Sequence, residues 1–125
     1  MSLKVLVVDD EAMTRELLRI MLQRGGFVVV EAGGGEEALE KVESDKPDLI
    51  ILDLMMPDID GFTVCGRLRS NPETVNIPVM MLSARTDDET VKLALAIGAN
   101  KYLRKPVSYK GLMEDVEAVL NTTRN

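Results

Sequence analysis

Apolar residues in this chain gather in short unbroken runs: Val5 to Val8, Val28 to Val30, Leu49 to Leu52, Val79 to Leu82 and the briefer Tyr102-Leu103. Continuous rather than alternating runs of this length, rich in β-branched residues, predict strands covered on both faces, as in a parallel sheet. Between them the patterning predicts helices over 12–24, 36–44, 62–70, 89–97 and 109–120. Their punctuation agrees: Gly25-Gly26 closes the first, Lys46-Pro47 and Asn71-Pro72 follow the second and third, and Gly98 follows the fourth. Five strand-helix units in succession predict one α/β domain over 1–125, with right-handed crossovers placing helices on both faces of the sheet. The polar residues 121–125 are expected to fray.

Composition narrows the chemistry. At 125 residues, 46% apolar and 29% charged, the chain can bury one core and has no membrane-length apolar run. Its 15 basic against 21 acidic residues leave a net charge of −6, the wrong sign for a phosphate-backbone binder, so no direct nucleic-acid partner is expected. The absence of His removes imidazole bases and catalytic triads, and a single Cys removes thiolate metal sites. Any metal must then be held by oxygen, which selects a hard cation such as Mg²⁺, or Mn²⁺ in its place. The first apolar run is cut off by Asp9-Asp10 and cannot serve as a signal-peptide core, so the expected location is cytoplasmic.

In open α/β sheets ligands bind beyond the carboxyl ends of the strands. Asp9 and Asp10 follow the first predicted strand, Asp53 the third, Ser83 the fourth, and Lys105-Pro106 the fifth. Three carboxylates so close cannot all ionise cheaply in a partly desolvated cleft unless a cation sits among them. An Asp is also a competent nucleophile towards phosphorus, while Lys105 and Ser83 supply a charge and a hydrogen-bond donor for transferred oxygens. Taken singly, Asp9, Asp10 and Ser83 would read as helix N-caps and Lys105 as a solvated charge. Five such residues at matching strand ends read better as one site.

The segments KVLVVDDE, PDLIILDLMMPDIDG, IPVMMLSA and GANKYLRKP together resemble the receiver domain of two-component response regulators, over essentially the whole chain. The resemblance implies a flavodoxin-like doubly wound sheet of order 2-1-3-4-5 with five helices. It implies Asp53 as phosphoacceptor, Asp10 and the Met55 carbonyl as metal ligands, and Asp9 as an acidic member acting largely through water. Ser83 and Lys105 would contact the phosphoryl group, Tyr102 would be the switch aromatic, and Lys105-Pro106 would be cis. The implied donor is a phosphohistidine on a sensor histidine kinase or phosphotransfer protein, and the output is altered binding of a protein target. Met55 and Arg85 occupy the positions that flank the path of a hydrolytic water. In transcription-factor relatives an acidic pair precedes the switch aromatic and supports a dimer; here Asn100-Lys101 stands there, and that dimer is not expected. The chain is read as a stand-alone receiver, with a receiver of a larger regulator or hybrid kinase, or a non-phosphorylated binding module, as alternatives.

Other motifs point elsewhere. Gly33-Gly34-Gly35-Glu36-Glu37-Ala38 fits G-x-G-x-x-A, but its two Glu oppose a pyrophosphate. Asp58-Ile59-Asp60-Gly61 imitates part of a calcium loop, yet the first and twelfth ligand positions would be Met56 and Arg67, and Asp60 reads better as an N-cap. A phosphatase with an Asp nucleophile would want a second Asp where Met55 stands. Cys65, beside Val64 and Leu68, reads as a small buried hydrophobe.

Overall fold

The computed structural model describes residues 2–123. The elements alternate as predicted: β1 (Lys4–Val8), α1 (Ala12–Arg24), β2 (Val28–Ala32), α2 (Gly35–Asp45), β3 (Leu49–Asp53), α3 (Gly61–Ser70), β4 (Val79–Ser83), α4 (Asp88–Ile97), β5 (Lys101–Arg104) and α5 (Tyr109–Thr123). All strand pairs are parallel, in the order β2-β1-β3-β4-β5. Each strand extends beyond its apolar run into a flanking polar or small residue, because ladder hydrogen bonding outlasts the hydrophobic signal. The polar tail expected to fray spans 121–125. Residues 121–123 continue α5, whose Val116, Val119 and Leu120 are buried against the sheet; residues 124–125 lie outside the described residues.

Side-chain alternation sorts the core into two layers. Val5, Val7, Leu49, Ile51, Met80 and Leu82 face Leu18 and Leu22 of α1 and Leu112 and Val116 of α5. Their neighbours Leu6, Val8, Ile50, Leu52, Val79 and Met81 face Ala38, Val42, Val64, Cys65, Leu68 and Ala94 of α2, α3 and α4. With helices on both faces, β1, β3 and β4 have no solvent side, which is why their sequences read as continuous apolar runs. Cys65 is fully buried and its thiol is pushed up by that burial, consistent with packing rather than reactivity. No helix among the described residues is long and apolar enough to cross a membrane.

The amino-terminal edge of β4 and β5 is tied by one side chain. The Arg69 guanidinium donates to the carbonyls of Gly98 (3.0 Å), Val75 (3.1 Å) and Ile77 (2.8 Å) and to Asn100 Oδ1 (3.0 Å). Gly98 has φ +128, and a Cβ there would fall 2.8 Å from Arg69 Cγ, so glycine meets both the backbone and the space requirement. Arg69→Ala removes the donors and strands carbonyls of two connections. We expect about 2 kcal/mol lost in urea unfolding; wild-type stability would mean that water replaces the guanidinium freely.

Candidate functional site

β1 and β3 are adjacent and run in register, Val8 opposite Leu52, so the residues that follow emerge side by side. Asp9 is 1% exposed and Asp53 5%, whereas Asp10 is open to solvent. One carboxylate oxygen from each of the three can be chosen so that all lie within 4.8 Å of one another. Lys105, beyond β5, spans the buried pair: its Nζ is 3.0 Å from Asp9 Oδ2 and 3.5 Å from Asp53 Oδ1. The Lys105 backbone N–H donates to the Ser83 carbonyl at 2.9 Å, and the Lys105-Pro106 peptide is cis, as the resemblance implied.

Electrostatics follow from this crowding. Burial and then the Asp9 charge push the Asp53 carboxyl up to about 6, against the opposing pull of Lys105 and of the Met55 N–H donated to it. Burial alone would lower Lys105, but its hydrogen bond to Asp9 and the charges of both carboxylates more than reverse this, so its ammonium is held. Asp9 is fixed from behind: Oδ1 accepts the Glu11 N–H at 2.9 Å and its carbonyl accepts Arg15 Nη1 at 2.7 Å. Arg15 is in turn paired with Glu31 of β2 at 3.3 Å.

Ser83 ends β4, 2% exposed, its Oγ accepting the Arg85 N–H at 3.1 Å. The Arg85 carbonyl accepts the Tyr102 hydroxyl at 2.9 Å, so Tyr102 lies inward with 8% exposure. Asp87 caps α4 through Thr90 N–H at 3.1 Å and also receives Arg85 Nε at 3.1 Å, which turns the Arg85 guanidinium along the loop. Met55 is 58% exposed. A cleft of about 390 Å³ is lined by Asp10, Asp53, Met55, Ser83, Arg85 and Lys105 among others. Asp9, Asp10 and Ser83 do not serve as helix caps: Glu11 occupies the cap position of α1 without a side-chain bond, and Asp87 caps α4. Asp60 does cap α3, accepting the Thr63 N–H at 2.8 Å.

Sequence reasoning missed Arg15 and Asp58. Arg15 has no motif around it. Asp58 accepts the Gly35 and Glu36 N–H groups at the start of α2, at 3.1 and 2.9 Å, and the signal that could have revealed it is the glycine run itself.

The donor set fits a hard divalent cation: oxygen only, carboxylates on two adjacent strand ends, and a single ammonium among them that leaves a net negative charge. A doubly wound parallel sheet carrying such a cluster where the strand order reverses has the architecture of a signalling receiver. The family model for the response regulator receiver domain matches residues 5–117, and the chain belongs to that family.

Among relatives, the alkaline phosphatase synthesis transcriptional regulatory protein PhoP of Bacillus subtilis is 43% identical over 120 residues, 96% of this chain and 49% of that protein. The chain spans about half the length of the curated relatives it matches. Among solved structures, the chemotaxis protein CheY4 of Vibrio cholerae is 33% identical with a TM-score of 0.90, covering 95% of this chain and 99% of that one. The signal receiver domain of a signal transduction histidine kinase from Syntrophus aciditrophicus is 30% identical with a TM-score of 0.89, covering 97% and 92%.

Because the folded Asp53 lies above its ordinary value of 3.8, its ionisation destabilises the native state, by nothing at low pH and fully above about 6. In chelator-containing buffer, stability should therefore fall as pH rises through that interval. Asp53→Asn should remove the fall and exceed wild type at pH about 7.5 by roughly 1–2 kcal/mol, allowing for water screening. Identical pH profiles for the two proteins would show that the Asp53 carboxylate is fully hydrated.

Proposed function

We propose that this receiver is a phosphorylation-dependent switch of a two-component system, in which Asp53 accepts a phosphoryl group from a phosphohistidine on a sensor kinase or phosphotransfer protein. The observation that carries this reading is the buried Asp53 carboxylate held between Asp9 and Lys105 at a solvent-open cleft. An Asp53 oxygen forms the new P–O bond as the P–N bond of the donor breaks, and the imidazole leaves. Lys105 neutralises phosphoryl charge from where it already stands, and Ser83, whose oxygen accepts from Arg85, has its hydroxyl proton to donate. Asp9, Asp10, Asp53 and the Met55 carbonyl would hold Mg²⁺ or Mn²⁺, which supplies further neutralisation of the phosphoryl oxygens. The domain is a signalling module rather than an enzyme of conventional type, and its place is the cytoplasm.

Ser83, Arg85 and Tyr102 form a continuous hydrogen-bonded path from the site to β5, and this path is the proposed route by which phosphorylation changes the face built by α4, β5 and α5. On that face Lys101 pairs with Asp115 of the same chain at 3.7 Å, so its charge is engaged internally. The output is binding of a protein partner. A second reading, a receiver within a larger regulator or hybrid kinase, is supported by the partial coverage of PhoP and by the likeness to a kinase receiver.

Incubation with acetyl phosphate and Mg²⁺ should give one phosphoryl mass increment on wild type and none on Asp53→Asn. Full labelling of Asp53→Asn would place the acceptor elsewhere. Lifetime is a separate matter. The Met55 thioether accepts hydrogen bonds poorly and Arg85, which only donates, is turned towards Asp87, so neither can orient and deprotonate an attacking water. The Met55→Asn, Arg85→Glu double variant should release phosphate several-fold faster than wild type, a change on the order of 1 kcal/mol in the barrier; equal or slower release would refute the role given to both residues.

A further inference from the structure

The segment 54–60 between β3 and α3 leaves the phosphoacceptor strand and carries Met55, whose N–H meets the Asp53 carboxylate. It is clasped at its base, where the Gly61 N–H donates to the Leu54 carbonyl at 2.9 Å and a Cβ on Gly61 would fall 2.7 Å from the Asp53 carbonyl oxygen. Its middle is clasped by a different element. Asp58 reaches across to α2 and takes the Gly35 N–H on one carboxylate oxygen and the Glu36 N–H on the other. The approach is close enough to exclude side chains. A Cβ on Gly34 would fall 2.9 Å from Asp58 Oδ2, and one on Gly35 would fall 2.3 Å from Ile59 Cγ1 and 2.9 Å from the Ile59 carbonyl oxygen. Those backbone bonds hold the Asp58 carboxyl down at about 2, so it stays an anion on the positive end of α2 at any physiological pH.

We propose that Asp58 is a positioning residue for the phosphoacceptor site: by fastening the middle of segment 54–60 to the start of α2, it sets where Met55 presents its backbone to Asp53 and to a bound divalent cation. Asp58 touches neither the cation nor the phosphoryl group. With only the base clasp left, Met55 lies between one fixed end and a free span, and its backbone samples a range of positions. The linkage also runs the other way, since a cation that prefers one placement of Met55 must favour the clasped loop and so tighten the start of α2. This inference rests on the reading of Asp53, Asp10 and Met55 as the cation site.

The test uses Mn²⁺ as probe, with free ion read by electron paramagnetic resonance, on the full chain and its Asp58→Ala and Asp58→Asn variants, each checked for fold by circular dichroism. Asp58→Ala should weaken Mn²⁺ binding about ten-fold, the usual consequence of losing a group that orients a ligand. Asp58→Asn, which keeps one acceptor oxygen, should lie between Asp58→Ala and wild type, and it serves alone if Asp58→Ala does not fold. In wild type, saturating Mg²⁺ should slow amide exchange at Gly35 and Glu36, and this slowing should vanish in the variants. Wild-type Mn²⁺ affinity in a folded variant whose Gly35 and Glu36 amides exchange faster would overturn the proposal, leaving Asp58 as a cap of α2 and nothing more. If wild type itself fails to bind Mn²⁺, the cation-site reading falls together with the proposal, and that failure shows before any variant is made.

Discussion

The adjacency of β1 and β3 brings two carboxylates to the same buried edge, and most of what is particular about this domain follows from that conflict. Asp9 and Asp53 emerge from strands in register, each almost without solvent, and their mutual repulsion adds to the cost of burial. Lys105 relieves part of it by bridging both. One ammonium cannot balance the two buried charges and Asp10 as well, so the site keeps an appetite for positive charge. Behind it, Arg15 on the Asp9 carbonyl and Glu31 behind Arg15 hold the backbone from which the first carboxylate projects.

How far the chain was legible depends on which force placed each residue. Helices and strands came through because burial on both sheet faces forces continuous apolar runs, and α1 matches its predicted span of 12–24 at both ends. α3 and α4 also end, and α5 begins, at the predicted residues, and the remaining helix ends differ where hydrogen bonding and caps rule. α2 starts at Gly35 because Asp58, distant in sequence, supplies its missing acceptor, and α5 persists to Thr123 because its last apolar residues are packed on the sheet. Asp9, Asp10, Asp53, Ser83 and Lys105 were legible as one site since strand ends in an α/β sheet converge, whereas Met55 and Arg85 entered only through the resemblance. The sheet order came from the resemblance, as patterning alone does not rank strands.

Arg15, Asp58 and Arg69 were invisible for a shared reason. Each is a charged side chain that bonds backbone groups, besides any side-chain partner, brought close only by the finished fold, and neither periodicity nor local spacing encodes such contacts. Arg69 satisfies carbonyls from two separate connections, and Asp58 satisfies two amides more than twenty residues upstream. Such residues do leave one trace, a glycine on the other side of the contact. Gly98 faces Arg69, and Gly34 and Gly35 face Asp58 and Ile59.

That trace reverses the meaning of the G-x-G-x-x-A segment. In a dinucleotide site, glycines open a helix N-terminus so that a pyrophosphate can reach its amides. Here Gly34 and Gly35 open the N-terminus of α2 in the same way, but the anion that arrives is the chain's own Asp58, which takes two of the amides a phosphate would need. Glu36 and Glu37 in the same turn, tied to Arg67 and Lys41, add negative charge against any second anion. A phosphate could enter only by displacing a carboxylate already bound on both oxygens and tethered to the site-bearing loop. The segment thus has its amides taken by the chain's own carboxylate, and its glycines join α2 to the loop that leaves the strand end at which Asp53 stands.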